Sequence, residues 1–139
     1  MKIVDCFTFF NELDLLEFRL KLLDPYIDHF VIAESDHTHS GEKKIFHFEA
    51  NRQRFRPWLH KIHYIPLSQS TVGLVFEKNE TNYNPASASW KLENEQRNAL
   101  SIASTLINDN DRVVIGDLDE IPDPRLLKKI SLDETKSSS

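Results

Sequence analysis

The feature that most constrains this chain is the alternation of short apolar runs, rich in β-branched and aromatic residues, with stretches of helical periodicity. Lys2-Ile-Val-Asp-Cys-Phe-Thr-Phe-Phe10 predicts a first strand, because such side chains pack well on a pleated surface. From Glu12 to Leu23, Leu15, Leu16, Phe18, Leu20, Leu22 and Leu23 recur at helical spacing, and Pro25 stops the helix. His29 to Glu34 is an apolar run of the length of a buried strand, and Lys61 to Leu67 alternates as a third strand does. Trp90 to Ile107 predicts one long amphipathic helix, and Arg112-Val-Val-Ile-Gly116 a strand core. Asp123 and Pro124 then read as N-cap and first residue of a last short helix. The order strand, helix, strand, strand, helix, strand predicts an α/β fold, a mostly parallel sheet flanked by helices.

A length of 139 residues, 40% of them hydrophobic, suits one domain over residues 1–130 with a polar, disordered tail over 131–139. The net charge of −5, with no dense basic stripe, argues against nucleic acid as a partner, since phosphate binding needs clustered Lys and Arg. The single cysteine, Cys6, sits in an apolar strand and has no internal disulfide partner, which suits a reducing compartment. Asp5 interrupts any signal-peptide core, and no apolar run reaches the roughly 20 residues of a membrane span. The expectation is a cytoplasmic protein, with peripheral membrane attachment left open. Residues 70–89 form the longest irregular stretch, which suits a functional flap or a disordered segment.

In an open α/β sheet ligands collect at the carboxyl ends of the strands. Asn11 and Glu12, then Glu34, Ser35 and Asp36, then Asp117, Asp119 and Glu120 fall at such ends. Asp117 and Asp119 flank Leu118 in what reads as an extended segment, so both carboxylates project to one side, an arrangement suited to Mg²⁺ or Mn²⁺. Such a cation neutralises a leaving diphosphate. A solvated acidic strand end fits the spacing alone equally well. The metal reading gains weight because the pair closes a Val-Val-Ile run and precedes Ile-Pro-Asp-Pro.

Four segments in order, Asp5-Cys-Phe-Thr-Phe-Phe-Asn-Glu-Leu-Asp-Leu-Leu-Glu-Phe-Arg-Leu20, Phe30-Val-Ile-Ala-Glu-Ser35, Glu95-Gln-Arg-Asn98 and Asp117-Leu-Asp-Glu-Ile-Pro122, resemble glycosyltransferase family 17. The resemblance runs from about Lys2 to about Leu127. It implies a GT-A fold, Rossmann-like and mostly parallel, a nucleotide-sugar donor expected to be UDP-GlcNAc, a glycan or glycoconjugate acceptor, and inverting transfer of N-acetylglucosamine. By the resemblance Asp117 and Asp119 match the metal-binding DxD pair, Asp117 also lying toward the donor. Phe10-Asn11-Glu12 matches the segment near the nucleotide base, and Arg97-Asn98 a donor-site segment. Family members are longer, so the chain reads as a truncated, N-terminal half, with the acceptor site and general base expected beyond residue 139.

Each assignment has a plainer counterpart. Asn11 would cap the following helix, with Asp14 in a weak capping-box position. Glu34 and Asp36 would hold ribose or base, or merely line a solvated loop. Arg97 would reach a diphosphate, or pair with Glu93 on its own helix. His37, His39 and His47 lack a fixed-spacing Cys or acidic partner and do not favour zinc. Arg52, Arg54 and Arg56 alternate, which on an extended chain makes an anion-facing comb or a solvated basic segment. Trp90 reads as a core anchor.

Two other functions compete. Val113 to Asp119 also resembles the strand and DxD of haloacid-dehalogenase-type phosphatases, but that motif usually opens its chain, and Glu120-Ile121 replaces its expected continuation. A non-catalytic nucleotide-sugar-binding module is the other, since donor-side groups are present without an acceptor side.

Overall fold

The computed structural model describes residues 1–38, 40–74 and 88–128. Four strands, β1 (Ile3–Phe9), β2 (His29–Ser35), β3 (Ile62–Leu67) and β4 (Arg112–Asp117), form one sheet in the order β3-β2-β1-β4. Every pairing is parallel. The central strands β1 and β2 are almost wholly buried, while the edge strands β3 and β4 are half-exposed, as a sheet covered on both faces requires. The α/β, Rossmann-like arrangement read from the sequence is the fold of the chain.

Strand periodicity divides the core in two. Ile3, Phe7 and Phe9 of β1 face helix α1 (Leu13–Leu23), where Leu16, Leu20 and Leu23 meet Phe30 and Ile32 of β2. The short helix α2 (His47–Ala50) and the 3₁₀ turn Arg52–Trp58 extend that layer with Phe48, Phe55 and Trp58. Val4, Cys6, Val31 and Ala33 face the opposite way, against Leu100 and Ala103. Those last two belong to a 3₁₀ stretch, Leu100–Leu106, that follows helix α3 (Ala88–Ala99).

Three local expectations need correction. The single helix from Trp90 to Ile107 is instead α3 followed by the 3₁₀ stretch, within which the Thr105 hydroxyl donates to the Ile102 carbonyl at 2.7 Å, a side-chain bond that competes with helical pairing. Arg52, Arg54 and Arg56 lie on a 3₁₀ turn containing Pro57 rather than on an extended chain, and Arg54 pairs with Asp14 and Glu17 of α1. Asn11 does not cap α1: Glu12 holds the N-cap position without a side-chain cap bond, and its Oε1 accepts from the Asn11 N–H at 3.1 Å.

The reading of Asp123 holds. Its Oδ1 accepts from the Arg125 N–H at 2.9 Å, and residues 124–128 are helical. Most of the irregular stretch over 70–89 and the tail over 131–139 lie outside the described residues. Among the described residues no helix is long and apolar enough to cross a membrane.

Candidate functional site

The connectivity decides where a crevice opens. From β1 the chain moves outward through β2 to β3, then returns across the sheet to place β4 on the other side of β1. The carboxyl ends of β1 and β4 therefore flank the point where the strand order reverses, the usual ligand position in such sheets. Thr8 and Asp117 are register partners there, and the Thr8 hydroxyl lies 3.4 Å from Asp117 Oδ1.

Asp117 is the last residue of β4, and beyond it the chain does not stay extended. The Glu120 N–H donates to the Asp117 carbonyl at 3.0 Å, closing a β-turn, while Glu120 Oε1 accepts from the Asp117 N–H at 3.0 Å. Leu118 is buried in the core against the α1 layer, and Asp119 is exposed. The two carboxylates are thus displayed by a turn pinned through its central leucine, which corrects the extended segment expected from spacing. Burial raises the Asp117 carboxyl above its ordinary value; the Arg97 charge pulls it back and Glu120 pushes it further up, the net effect being a rise.

Arg97, on α3, pairs with Glu93, the partner expected on its own helix, at 3.3 Å, and also reaches Asp117 at 3.6 Å. Its guanidinium therefore sits beside the turn as well as on its own helix surface. Asn98 follows it and is exposed.

The most extensive contact with the turn comes from Arg19, whose role the sequence reading missed. Arg19 is fully buried; its Nε and Nη2 donate to Asp5 at 2.9 and 2.7 Å. Its Nη1 donates to the carbonyls of Asp117, Leu118 and Glu120 at 3.1, 2.9 and 3.0 Å. The guanidinium also lies over the Phe7 ring, 4.3 Å from its centroid. The available signal was an acid inside an apolar strand together with an arginine one residue before Leu20 on the buried stripe of the helix.

At the carboxyl end of β1, Phe10 lies under Lys44, whose Nζ is 5.6 Å from the ring centroid, and Asn11 is exposed. Glu34, one strand over, is turned inward. It is fully buried, and its carboxylate accepts from Lys44 Nζ at 2.7 Å, the His47 N–H at 2.7 Å, the Phe48 N–H at 3.1 Å and the Tyr64 hydroxyl at 2.7 Å. Its acceptor capacity is spent on shaping the loop after β2. The donor-binding position read for Glu34 is thus a buried one, while Phe10, Asn11 and Glu12 lie at the strand end.

Next to it runs a buried polar chain. Gln69 takes the Ser35 hydroxyl and, at 3.2 Å, the Gln96 amide on its Oε1, and donates to the Leu92 carbonyl and Glu95, both at 3.0 Å. Asp36 accepts from the Gln69 N–H at 3.0 Å and contacts His37 Nδ1 at 2.7 Å. His47 meets Glu34 through its backbone, and His39 lies outside the described residues.

With that geometry in view, the sequence profile described as glycosyltransferase family 17 matches residues 1–135. The chain belongs to glycosyltransferase family 17. No curated protein and no solved structure matches it. Membership assigns the chain to enzymes that take a sugar from a donor to an acceptor, and the carboxyl ends of β1 and β4 are where such a Rossmann-like sheet usually accepts a ligand. Among the described residues no group of three or more His, Cys, Asp or Glu side chains is gathered as a metal cage.

Proposed function

We propose that this family 17 chain forms the sugar-nucleotide-binding part of a metal-dependent glycosyltransferase that moves N-acetylglucosamine from UDP-GlcNAc to a glycan acceptor with inversion. The observation that carries the reading is the Asp117–Glu120 turn at the strand-order reversal, beside Thr8 and Arg97. Asp117 and Asp119 would hold Mn²⁺ or Mg²⁺. Phe10, Asn11 and Glu12 would line the nucleotide side, and Arg97 with Asn98 the diphosphate side. Glu34 would act from beneath, by fixing the loop after β2.

The donor set suits such a cation. Magnesium-like ions are commonly held by one or two carboxylates, with water and substrate phosphates completing the shell. The turn carbonyls of Asp117, Leu118 and Glu120 are taken by Arg19, which leaves the hard carboxylate oxygens for the metal. When bound, the cation supplies positive charge to a departing diphosphate. Arg97 adds a second, protein-borne positive charge on the same side.

Calorimetric titration with UDP and UDP-GlcNAc, with and without Mn²⁺, tests the reading. Metal-dependent binding is expected, and Asp119→Asn should abolish it while the circular dichroism spectrum stays unchanged. Binding that ignores both the metal and Asp119 would sink the assignment.

A further inference from the structure

We propose that Arg19 is the positioning residue of this candidate metal site, holding the Asp117–Glu120 turn from within the core so that its two aspartates face the ligand. The inference rests on the metal reading above and assigns a part to a residue that touches neither metal nor donor.

The guanidinium is a planar fork with five N–H donors in fixed directions. One edge of it grips Asp5 on the central strand, and Nη1 is left to the carbonyls of Asp117, Leu118 and Glu120. Those carbonyls converge on one nitrogen, the kind of oxygen cluster that would otherwise attract a cation on the core side of the turn. Arg19 fills that place with a charge that is part of the fold. The carbonyls consequently point inward, and the side chains of Asp117 and Asp119 are left on the outer side.

The turn also has repulsion to overcome. Asp117, Asp119 and Glu120 crowd negative charge onto one short turn, and like charges so close oppose its formation. The charge of Arg19 is matched by Asp5, so what the guanidinium supplies is directed N–H contacts to the turn carbonyls, which hold the turn closed against that repulsion. Its anchorage to β1 matters as well. Asp5 is on the strand that leads to Phe10, Asn11 and Glu12, and Arg19 is on the helix that follows them. One side chain thereby ties the nucleotide-side segment to the metal-side turn, so that their spacing is fixed by the core.

Lysine cannot reproduce this. Its ammonium is a point charge that can serve Asp5 or the turn, but it has no fork to span both. Arg19→Lys is therefore the informative variant, with Leu16→Ala, a buried change on the same helix with no hydrogen bond to the turn, as a control for lost stability. Mn²⁺ affinity is read from the electron paramagnetic resonance signal of the free ion. Arg19→Lys should lose roughly 10–100-fold, as removal of outer-shell partners usually does, while Leu16→Ala melts earlier yet keeps wild-type affinity. In the wild type, Mg²⁺ should also shift the guanidinium ¹⁵N resonances of Arg19, a readout that needs no variant and decides the matter if Arg19→Lys does not fold. Wild-type Mn²⁺ affinity in a folded Arg19→Lys, or unmoved Arg19 resonances at saturating Mg²⁺, would overturn the inference and leave the metal site standing. Absence of Mn²⁺ binding by the wild type would overturn both.

Discussion

Arg19 and Asp5 face each other through two hydrogen bonds, at 2.9 and 2.7 Å, with both side chains wholly out of water. Burial pushes the Asp5 carboxyl above its ordinary value, and the hydrogen bonds and charge of Arg19 oppose the rise. Each partner is thus acceptable in the core only because the other is there. Arg19→Met should destabilise the fold by about 3–5 kcal/mol, because it strands a buried carboxylate. The double variant Asp5→Leu with Arg19→Met should recover the part due to the stranded carboxylate, the turn carbonyls still lacking their donor. Urea denaturation of the four proteins in a mutant cycle measures the coupling, and simple additivity of the two single changes would contradict it.

Glu34→Gln makes a related case for the loop after β2. The carboxylate accepts from Lys44, Tyr64 and two backbone N–H groups, and a glutamine would turn an NH₂ group toward some of those donors. An unmatched buried donor costs about 1–3 kcal/mol, and more when a charged partner such as Lys44 is left behind. The expected loss is at the upper end of that range, read from the urea midpoint. A midpoint equal to wild type would mean that the loop repairs itself around the amide.

These two residues also show where the sequence was legible and where it was not. Strand and helix positions follow from periodicity, since Phe7, Phe9, Leu16 and Leu20 repeat at intervals that only a strand and a helix bring onto one face. The position of Asp117 at a strand end was visible as acid after a Val-Val-Ile run, because the apolar run alone marks where the strand stops. The turn geometry was not, because it depends on Leu118 entering the core and on Arg19 arriving from a helix 98 positions away from Asp117. Spacing has no access to such a contact. Glu34 was legible as an acid at a strand end, but the direction of its side chain is set by Tyr64 of the neighbouring strand and by the amides of His47 and Phe48.

Cys6 should behave as an inert core residue. It is fully buried among Val4, Val31, Ala33 and Leu100, and burial, reinforced by the nearby Asp5 charge, pushes its thiol up to about 12. Only the thiolate attacks disulfide reagents, so the native protein at pH 8 should resist a chromogenic disulfide that labels the urea-unfolded chain at once. Stoichiometric labelling of the native state within the dead time of mixing would show that β1 opens far more readily than its burial implies.

His63 provides the pH-dependent term. Its Nε2 lies 3.1 Å from His29 Nδ1, a contact that needs one ring nitrogen to accept and therefore one neutral imidazole. Burial, then the charge of His29, lowers the His63 value below its ordinary 6.5. The folded state consequently binds protons less readily than the unfolded chain, so the contribution of His63 is complete above 6.5 and is lost as pH falls through the depressed folded value. His63→Gln removes the titration but keeps a polar side chain. The wild type should lose more stability than this variant on acidification below 6.5, measured as the difference between their urea midpoints across a pH series. Parallel curves for the two proteins would mean that the rings separate and protonate without cost, and that the histidine pair plays no part in the acid sensitivity of the sheet.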